Sequence, residues 1–289
     1  MELTWPEWIA ASAPSPLTAP IEVIRERPWS MVAKVPTAGG PLWFKENRGD
    51  TRYETYLLAA LAGWVPHAVL TPIAVDHERG WSLQPDGGTT VYESGGEPDA
   101  RRWEELLSRH ADLQRRLIVH VPEMLAAGVP DQRPAGLMAR FDRLPVPAPA
   151  LALRPSLARR ADELAASRVP PSLQHDDLHD NNVFRTGEVF DWGDASIAHP
   201  FSVLLISLRV AADQLSAEPG DAVLARIRDA YLEPWSDLAD RAELVRDVDN
   251  AIELGKIGRA LAWQRSMATE VDRMDGDDPV AGWLGLLTG

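Results

Sequence analysis

The sequence predicts an α+β chain in two parts, a small antiparallel sheet with one helix followed by a larger, mostly helical part. Three observations predict it. Short apolar, strand-like pieces run from Ile21 to Gln84. From Asp99 onward the apolar positions fall at helical spacing. Between those helical stretches lies a polar segment, Leu173 to Phe184, dense in acids and amides and flanked by apolar pieces.

In chain order, strands are predicted at Ile21–Ile24, Met31–Val35 and Pro41–Lys45, with Gly39-Gly40 as the hairpin turn between the last two. Thr51–Trp64 has helical spacing, with Tyr53, Tyr56, Leu57, Ala60, Leu61 and Trp64 on one face. Further strands are predicted around Leu70–Val75 and Trp81–Gln84, after which Pro85-Asp86-Gly87-Gly88 breaks the pattern. That break is the expected hinge, dividing residues 1–87 from 88–289. Helices are predicted at Arg101–Val121, Ser156–Ser167, Ser202–Gln214, Asp221–Tyr231 and Ala242–Glu270, with Pro145–Pro149 as a surface connector. Trp64, Trp103 and Trp263 read as core residues of helices, whereas Trp5 and Trp8 read as fasteners of the N-terminal segment to the small part.

At 289 residues and 45% apolar content, the chain can bury a full core, or two lobes around a cleft. Absence of cysteine excludes disulfides and thiolate chemistry. The start has no secretory signal pattern, and the apolar stretch near Val203–Val210 is too short to span a bilayer, so a cytoplasmic protein with no membrane partner is expected. A net charge of −14 leaves no basic face for nucleic acid and is compatible with a cationic small-molecule partner.

The segment His175-Asp176-Asp177-Leu178-His179-Asp180-Asn181-Asn182 is followed by Val189-Phe190-Asp191-Trp192-Gly193. An aspartate, an amide five residues on and a second aspartate nine residues beyond are the residue types that phosphoryl transfer needs. A carboxylate orients the attacking hydroxyl, and oxygen ligands hold magnesium against nucleotide phosphates. Asp177 is the candidate base, and Asn182 and Asp191 are the candidate metal ligands.

These residues resemble the aminoglycoside phosphotransferase family of small-molecule kinases, whose signature is commonly His-Gly-Asp-Leu-His-x-x-Asn, then an apolar hairpin and Asp-Trp. The departure is Asp176, where glycine is usual. The resemblance extends over nearly the whole chain and implies a two-lobed protein-kinase-like fold. It implies a kinase that uses ATP or GTP with Mg2+ to phosphorylate a hydroxyl of a small molecule: an aminoglycoside, amino sugar or amino alcohol. Lys45 would sit on the nucleotide phosphates and pair with Glu54 of the following helix; Glu46 and Asp50 are its rivals in the intervening loop. Such a pair, read as partly exposed, contributes only about 0–1 kcal/mol, so Lys45→Ala is expected to leave stability nearly unchanged. Adenine contacts are implied at Gln84 to Asp86, and His175 as a structural histidine bonding the backbone near Asp191. Asp180 and Asp194 are candidates for meeting substrate amines, with Asp272, Asp275, Asp277 and Asp278 behind them. The glycine-rich phosphate loop is absent: Arg25-Glu26-Arg27-Pro28-Trp29-Ser30 contains no glycine. The family's Asp-Pro-x-x-Asp is also altered, reading His199-Pro200-Phe201-Ser202-Val203, so that part of the scaffold must be tied differently.

Two other readings exist. A nucleotide-binding pseudokinase would explain the missing glycine loop, but it would usually have lost one of Lys45, Asp177, Asn182 or Asp191. An HD-type metal phosphohydrolase would use His175-Asp176 with His110 or His120, and it requires that pair on a helix.

Overall fold

The structure, a computed structural model, describes residues 3–96, 99–267 and 278–288. They form two compact units. One comprises residues 3–91, 183–193 and 265–267; the other comprises 92–96, 99–182, 194–264 and 278–288.

The first unit is built on an antiparallel sheet of β1 (Glu22–Arg27), β2 (Ser30–Thr37), β3 (Gly40–Asn47), β4 (Ala74–Asp76) and β5 (Trp81–Pro85), in the order β1-β2-β3-β5-β4. Alternation decides its faces. Met31, Ala33 and Val35 of β2 are buried with Leu42, Phe44, Trp81 and Leu83, and helix α1 (Trp5–Ser12) closes that core with Ile9. Trp5 stacks on Phe44 at 5.6 Å, and Trp8 meets Phe44 and Trp81 at 6.0 and 5.8 Å, so both tryptophans fasten the N-terminal segment to the sheet. That this segment is a helix was not expected, although its signal was present: Thr4 and Glu7 form a capping box, with Pro6 in the first turn.

Helix α2 (Tyr53–Trp64) buries Tyr53, Glu54, Thr55, Leu57, Leu58 and Leu61. Its inward face therefore includes polar Glu54 and Thr55, and Tyr56 is turned outward while Trp64 is only half-buried. The strand expected at Leu70–Val75 shortens to Ala74–Asp76, since Pro72 has no N–H to give a ladder. The apolar hairpin expected around Val183 and Val189 is a single bridge between those two residues.

Among its described residues the second unit is mostly helices and loops, with one short strand pair, β6 (Ser172–Gln174) with β7 (Ser196–Ala198). Helix α3 (Ala100–Leu117) turns Trp103, Leu107, His110, Ala111, Gln114 and Leu117 inward at helical spacing. The amide of Gln114 donates to the carbonyls of Leu173 and Pro200, and Tyr231 Oη donates to Gln114 Oε1, which fixes β6 from behind. Of the expected connector Pro145–Pro149, residues 145–147 are irregular, while Ala148 and Pro149 begin a short helix, α6 (Ala148–Ala152). Two further helices, α4 (Val121–Ala126) and α5 (Pro134–Phe141), were not expected; like α6 and the expected α7 (Arg154–Ala165), each has proline at its start. Proline there occupies positions whose N–H groups have no helical partner, so it can begin a helix as well as end one. Helices α8 (Leu204–Leu215), α9 (Ala222–Leu232), α10 (Arg241–Met267) and α11 (Pro279–Gly285) complete the unit. Residues 268–270 of the expected last helix, with Asp272, Asp275 and Asp277, lie outside the described residues. Trp103 is fully buried and Trp263 half-buried. Among the described residues no helix is long and apolar enough to cross a membrane.

Candidate active site

In the first unit three charged side chains meet. Lys45 ends the buried run of β3, and Glu54 stands in the first turn of α2. Lys45 Nζ lies 2.7 Å from Glu54 Oε2 and 2.6 Å from Asp191 Oδ1. The Glu54 side chain is 1% exposed and that of Lys45 12%, whereas Asp191 is 37% exposed. The pair is therefore buried, not partly exposed as the sequence suggested. Its rivals are engaged elsewhere or lie before the helix: Glu46 binds Arg48 and Trp81, and Asp50 sits in the turn preceding α2. Burial alone would lower the Lys45 pKa, but Asp191 and Glu54 carry it above the ordinary lysine range. For Glu54, burial prevails over Lys45 and raises the carboxyl.

Backbone geometry around Asp191 serves the same cluster. Asp191 itself has φ +62°, and Trp192 N donates to Glu54 Oε1 at 3.0 Å. Tyr53 Oη donates to Gly193 O at 2.6 Å, and a Cβ on Gly193 would stand 3.2 Å from Glu54 Oε2, so this close approach favours glycine. Trp192 is fully buried, with its indole N–H on Val189 O. Arg25 Nη2 lies 3.9 Å from Asp191 Oδ2. Toward the end of β5, Gln84 is half-buried beside Ser82 Oγ, while exposed Asp86 accepts from Gly88 N.

The catalytic-type segment lies in the second unit, after β6. Asp177 is half-exposed. Its Oδ2 is 3.7 Å from His179 Nε2, and its Oδ1 is 3.6 Å from Arg259 Nη2. Burial pushes its carboxyl up, but His179, Arg259 and His175 together hold it below the usual value. The base candidate is thus kept ionised. Asn182 commits its NH2 group to Asp177 O at 2.9 Å, which leaves the oxygen end to act as a ligand. Buried His175 accepts from Asp177 N through Nδ1.

The other acids have separate tasks. Asp180 is buried, and both its oxygens accept from Gln214 Nε2, whose own oxygen accepts from Trp103 Nε1. Its carboxylate anchors the loop on α8, where Ser207 Oγ also donates to Leu178 O. Asp194 Oδ2 takes Arg259 Nη1 at 3.0 Å, and the same Nη1 donates to Asp176 O at 3.0 Å. Asp278 caps α11. Arg259, only 6% exposed and reaching in from α10, was missed in the sequence. It stands on a long helix with no local motif around it.

A family model described as the phosphotransferase enzyme family, APH, matches residues 22–244. The chain belongs to that family. It is a phosphotransferase, a kinase that transfers phosphate to a small-molecule hydroxyl. No curated protein matches it. Among solved structures, choline kinase LicA from Streptococcus pneumoniae is similar at 12% identity and TM-score 0.65, over 97% of this chain and 95% of that one. A macrolide 2'-phosphotransferase type I is similar at 15% and 0.61, over 100% and 99%. The amicoumacin kinase hAmiN, in complex with AMP-PNP, Ca2+ and Ami, is similar at 13% and 0.63, over 99% and 93%. These likenesses establish the kinase-like α+β fold.

Within that fold the phosphotransferase's departures from the family signature find their places. Asp176 has φ +66°, the left-handed conformation that suits the usual glycine and that aspartate tolerates better than most residues. Its buried carboxylate accepts from Ser196 Oγ at 2.8 Å and is approached by Gln174 Nε2 at 3.4 Å. It thus turns to β7 and does not join Asp177 as a second base. This geometry also removes the HD-hydrolase reading, because His175-Asp176 lies in a loop and not on a helix. His110 is buried, its pKa lowered to about 3 by burial and by His175, and His120 sits in the turn after α3 beside Glu123. His199, at the altered scaffold motif, caps the turn at Pro200 by accepting from Phe201 N and meets Ser167 Oγ through Nε2. Burial holds it neutral, with a pKa of about 3. A neutral imidazole therefore ties this part of the scaffold where the family often uses an acid.

Proposed function

We propose that this phosphotransferase moves the γ-phosphoryl group of ATP or GTP, with Mg2+, onto a hydroxyl of an aminoglycoside, amino sugar or amino alcohol. The observation that carries the reading is the Lys45–Glu54–Asp191 cluster. A buried ion pair is a poor device for stability alone, and here its lysine also reaches a carboxylate more than one-third exposed. That arrangement suits a cation held ready for nucleotide phosphates, with Asp191 available to a metal.

The roles follow from the chemistry. Lys45 binds phosphate oxygens and Glu54 holds it in place. Gln84 to Asp86 meet the base of the nucleotide. Asn182 and Asp191 would hold the metal through oxygen, the donor type that magnesium prefers. Among the described residues no group of three or more His, Asp or Glu could hold a metal alone, so phosphate oxygens and water complete the shell. When bound, the metal neutralises charge developing on the transferred group. Asp177, kept ionised, accepts the hydrogen bond of the acceptor hydroxyl and aligns its oxygen for in-line attack. The net charge of −14 is compatible with an acceptor that carries an amine, whereas Asp194 is already paired with Arg259 and Asp180 with Gln214. A donor nucleotide accords with the amicoumacin kinase being a complex with AMP-PNP, and an amino alcohol with the name of the choline kinase.

Diphosphate release across aminoglycosides, amino sugars and amino alcohols, with ATP and with GTP, tests the reading. Asp177→Asn should bind nucleotide and turn over about 10²-fold or more slowly on the acceptor found. Asp191→Ala should lose the magnesium dependence of nucleotide binding in calorimetry. Full magnesium dependence in that variant would defeat the metal assignment, and wild-type turnover in Asp177→Asn would defeat the base.

A further inference from the structure

The β1–β2 hairpin, Arg25 to Ser30, contains no glycine, so it cannot wrap phosphates in close backbone amides as a glycine-rich loop does. The register of β1 shows a different device. Glu22 pairs with Lys34 and Val23 with Ala33, and then the pairing slips so that Arg25, and not Ile24, stands opposite Val32. Because side chains alternate along a strand, a slip of one residue exchanges the faces. Val32 in turn pairs with Lys45. Arg25, Val32 and Lys45 therefore form one cross-strand row on the face opposite the packed core of Met31, Ala33 and Phe44. Without the bulge, Ile24 would occupy that row and Arg25 would oppose Met31.

The contacts agree with this placement. Arg25 Nη2 is 3.9 Å from Asp191 Oδ2, on the carboxylate whose other oxygen holds Lys45. The Arg25 side chain is 53% exposed, so this loose pair adds little stability. Next to it, Glu26 faces the other way and is bound by Arg48 Nη2 at 2.9 Å. Arg48 also donates to Arg27 O at 3.2 Å and to Glu46 Oε2 at 2.8 Å. The hairpin is thus clamped from one side while the Arg25 guanidinium is left exposed on the other.

We propose that Arg25 is a phosphate-binding residue for the nucleotide, and that the β1 bulge exists to aim it beside Lys45. This rests on the reading of Lys45 as the nucleotide lysine. A planar guanidinium presents several N–H donors in a fork that matches phosphate oxygens, so one side chain can replace backbone amides.

The test is calorimetry on the full chain with magnesium, using AMP-PNP, GMP-PNP and the nucleosides adenosine and guanosine. Arg25→Gln should weaken the preferred triphosphate analogue about tenfold or more, the scale of a lost charge-assisted contact, and leave its nucleoside unchanged. Arg25→Lys, which keeps the charge but not the fork, should fall between. Wild-type affinity for the triphosphate analogue in Arg25→Gln would overturn the proposal while leaving the kinase reading intact. Equal loss of nucleoside and triphosphate analogue would overturn it too, by showing that the hairpin and not the phosphate contact had been disturbed. If the wild-type chain binds neither analogue, the nucleotide-donor reading fails and Arg25's role falls with it.

Discussion

Replacing Lys45 with methionine tests whether the Lys45–Glu54 pair is buried, with consequences for stability as well as turnover. Methionine retains most of the stem and removes only the charge. What remains is a Glu54 carboxylate that is 1% exposed, with Asp191 nearby and, among the described residues, the Trp192 N–H bonded to it. Removing one partner of a buried pair typically costs about 3–5 kcal/mol, since the survivor is left charged in a poor solvent. This revises the near-zero cost expected when the pair was taken as partly exposed. At about 2–4 °C per kcal/mol for a chain of this size, the melting temperature should fall on the order of 10 °C at pH 8. The deficit should also depend on pH. Burial raises the Glu54 carboxyl, and Lys45 is the main group opposing it. In Lys45→Met the folded chain therefore holds a proton on Glu54 over a range where the unfolded chain has released it. Stability falls as pH rises through that range, by about 1.4 kcal/mol per unit, and is recovered toward the unfolded carboxyl pKa of about 4.3. Lys45→Met/Glu54→Gln should remove both the deficit and its slope. Denaturant titrations of both variants and the wild type at pH 5 and pH 8 decide the matter. A Lys45→Met chain as stable as wild type at pH 8, or one whose deficit is the same at both values, would refute the argument.

Arg259→Met should leave Asp177 less strongly acidic, because Arg259 is one of the groups that hold its carboxyl down. The acid limb of the pH–turnover profile should then move to higher pH, and an unmoved limb would show that Arg259 is structural only. At Asp176, φ +66° penalises a β-branched side chain by about 1–2 kcal/mol, and the bond to Ser196 is lost as well. Asp176→Val should therefore be less stable than Asp176→Gly by at least the first of these amounts in denaturant titration, and equal stability would remove the backbone argument.

The features legible in the sequence are those with a local cause. Lys45 was readable as the end of an apolar strand, and Glu54 as a first-turn acid on the helix that follows. Asp177, Asn182 and Asp191 stand out as candidates by residue type and spacing. The sheet's strands follow from alternation around Gly39-Gly40, and the long helices from their apolar period. What escaped has nonlocal or ambiguous causes. Arg259 meets Asp177 only through tertiary packing of α10. The β1 bulge leaves no mark in the sequence, because Val23, Ile24 and Arg25 read equally well in either register. At Pro149 the sequence is ambiguous, since the same residue suits the expected connector Pro145–Pro149 and the first turn of α6; α4 and α5 are too short to show a period. Helical spacing puts Tyr56 and Trp64 on the apolar face of α2, but that spacing does not register that polar Glu54 and Thr55 are the residues turned inward. Helix α1 was legible in its Thr4-x-x-Glu7 box but too short to show a period.

The first unit is not continuous along the chain: residues 183–193 and 265–267 also belong to it. During synthesis, the sheet and α2 therefore emerge long before Asp191, Trp192 and Gly193 exist. Until then Glu54 has Lys45 but not the Trp192 N–H, and Tyr53 Oη has no Gly193 carbonyl to meet. Domains commonly fold in order as they leave the ribosome, yet this one must wait for more than half of the protein to be made. The Trp192 and Gly193 partners of Glu54 and Tyr53 thus come from a stretch that follows Val91 by some ninety residues, and the N-terminal unit cannot reach its native contacts before that stretch is made.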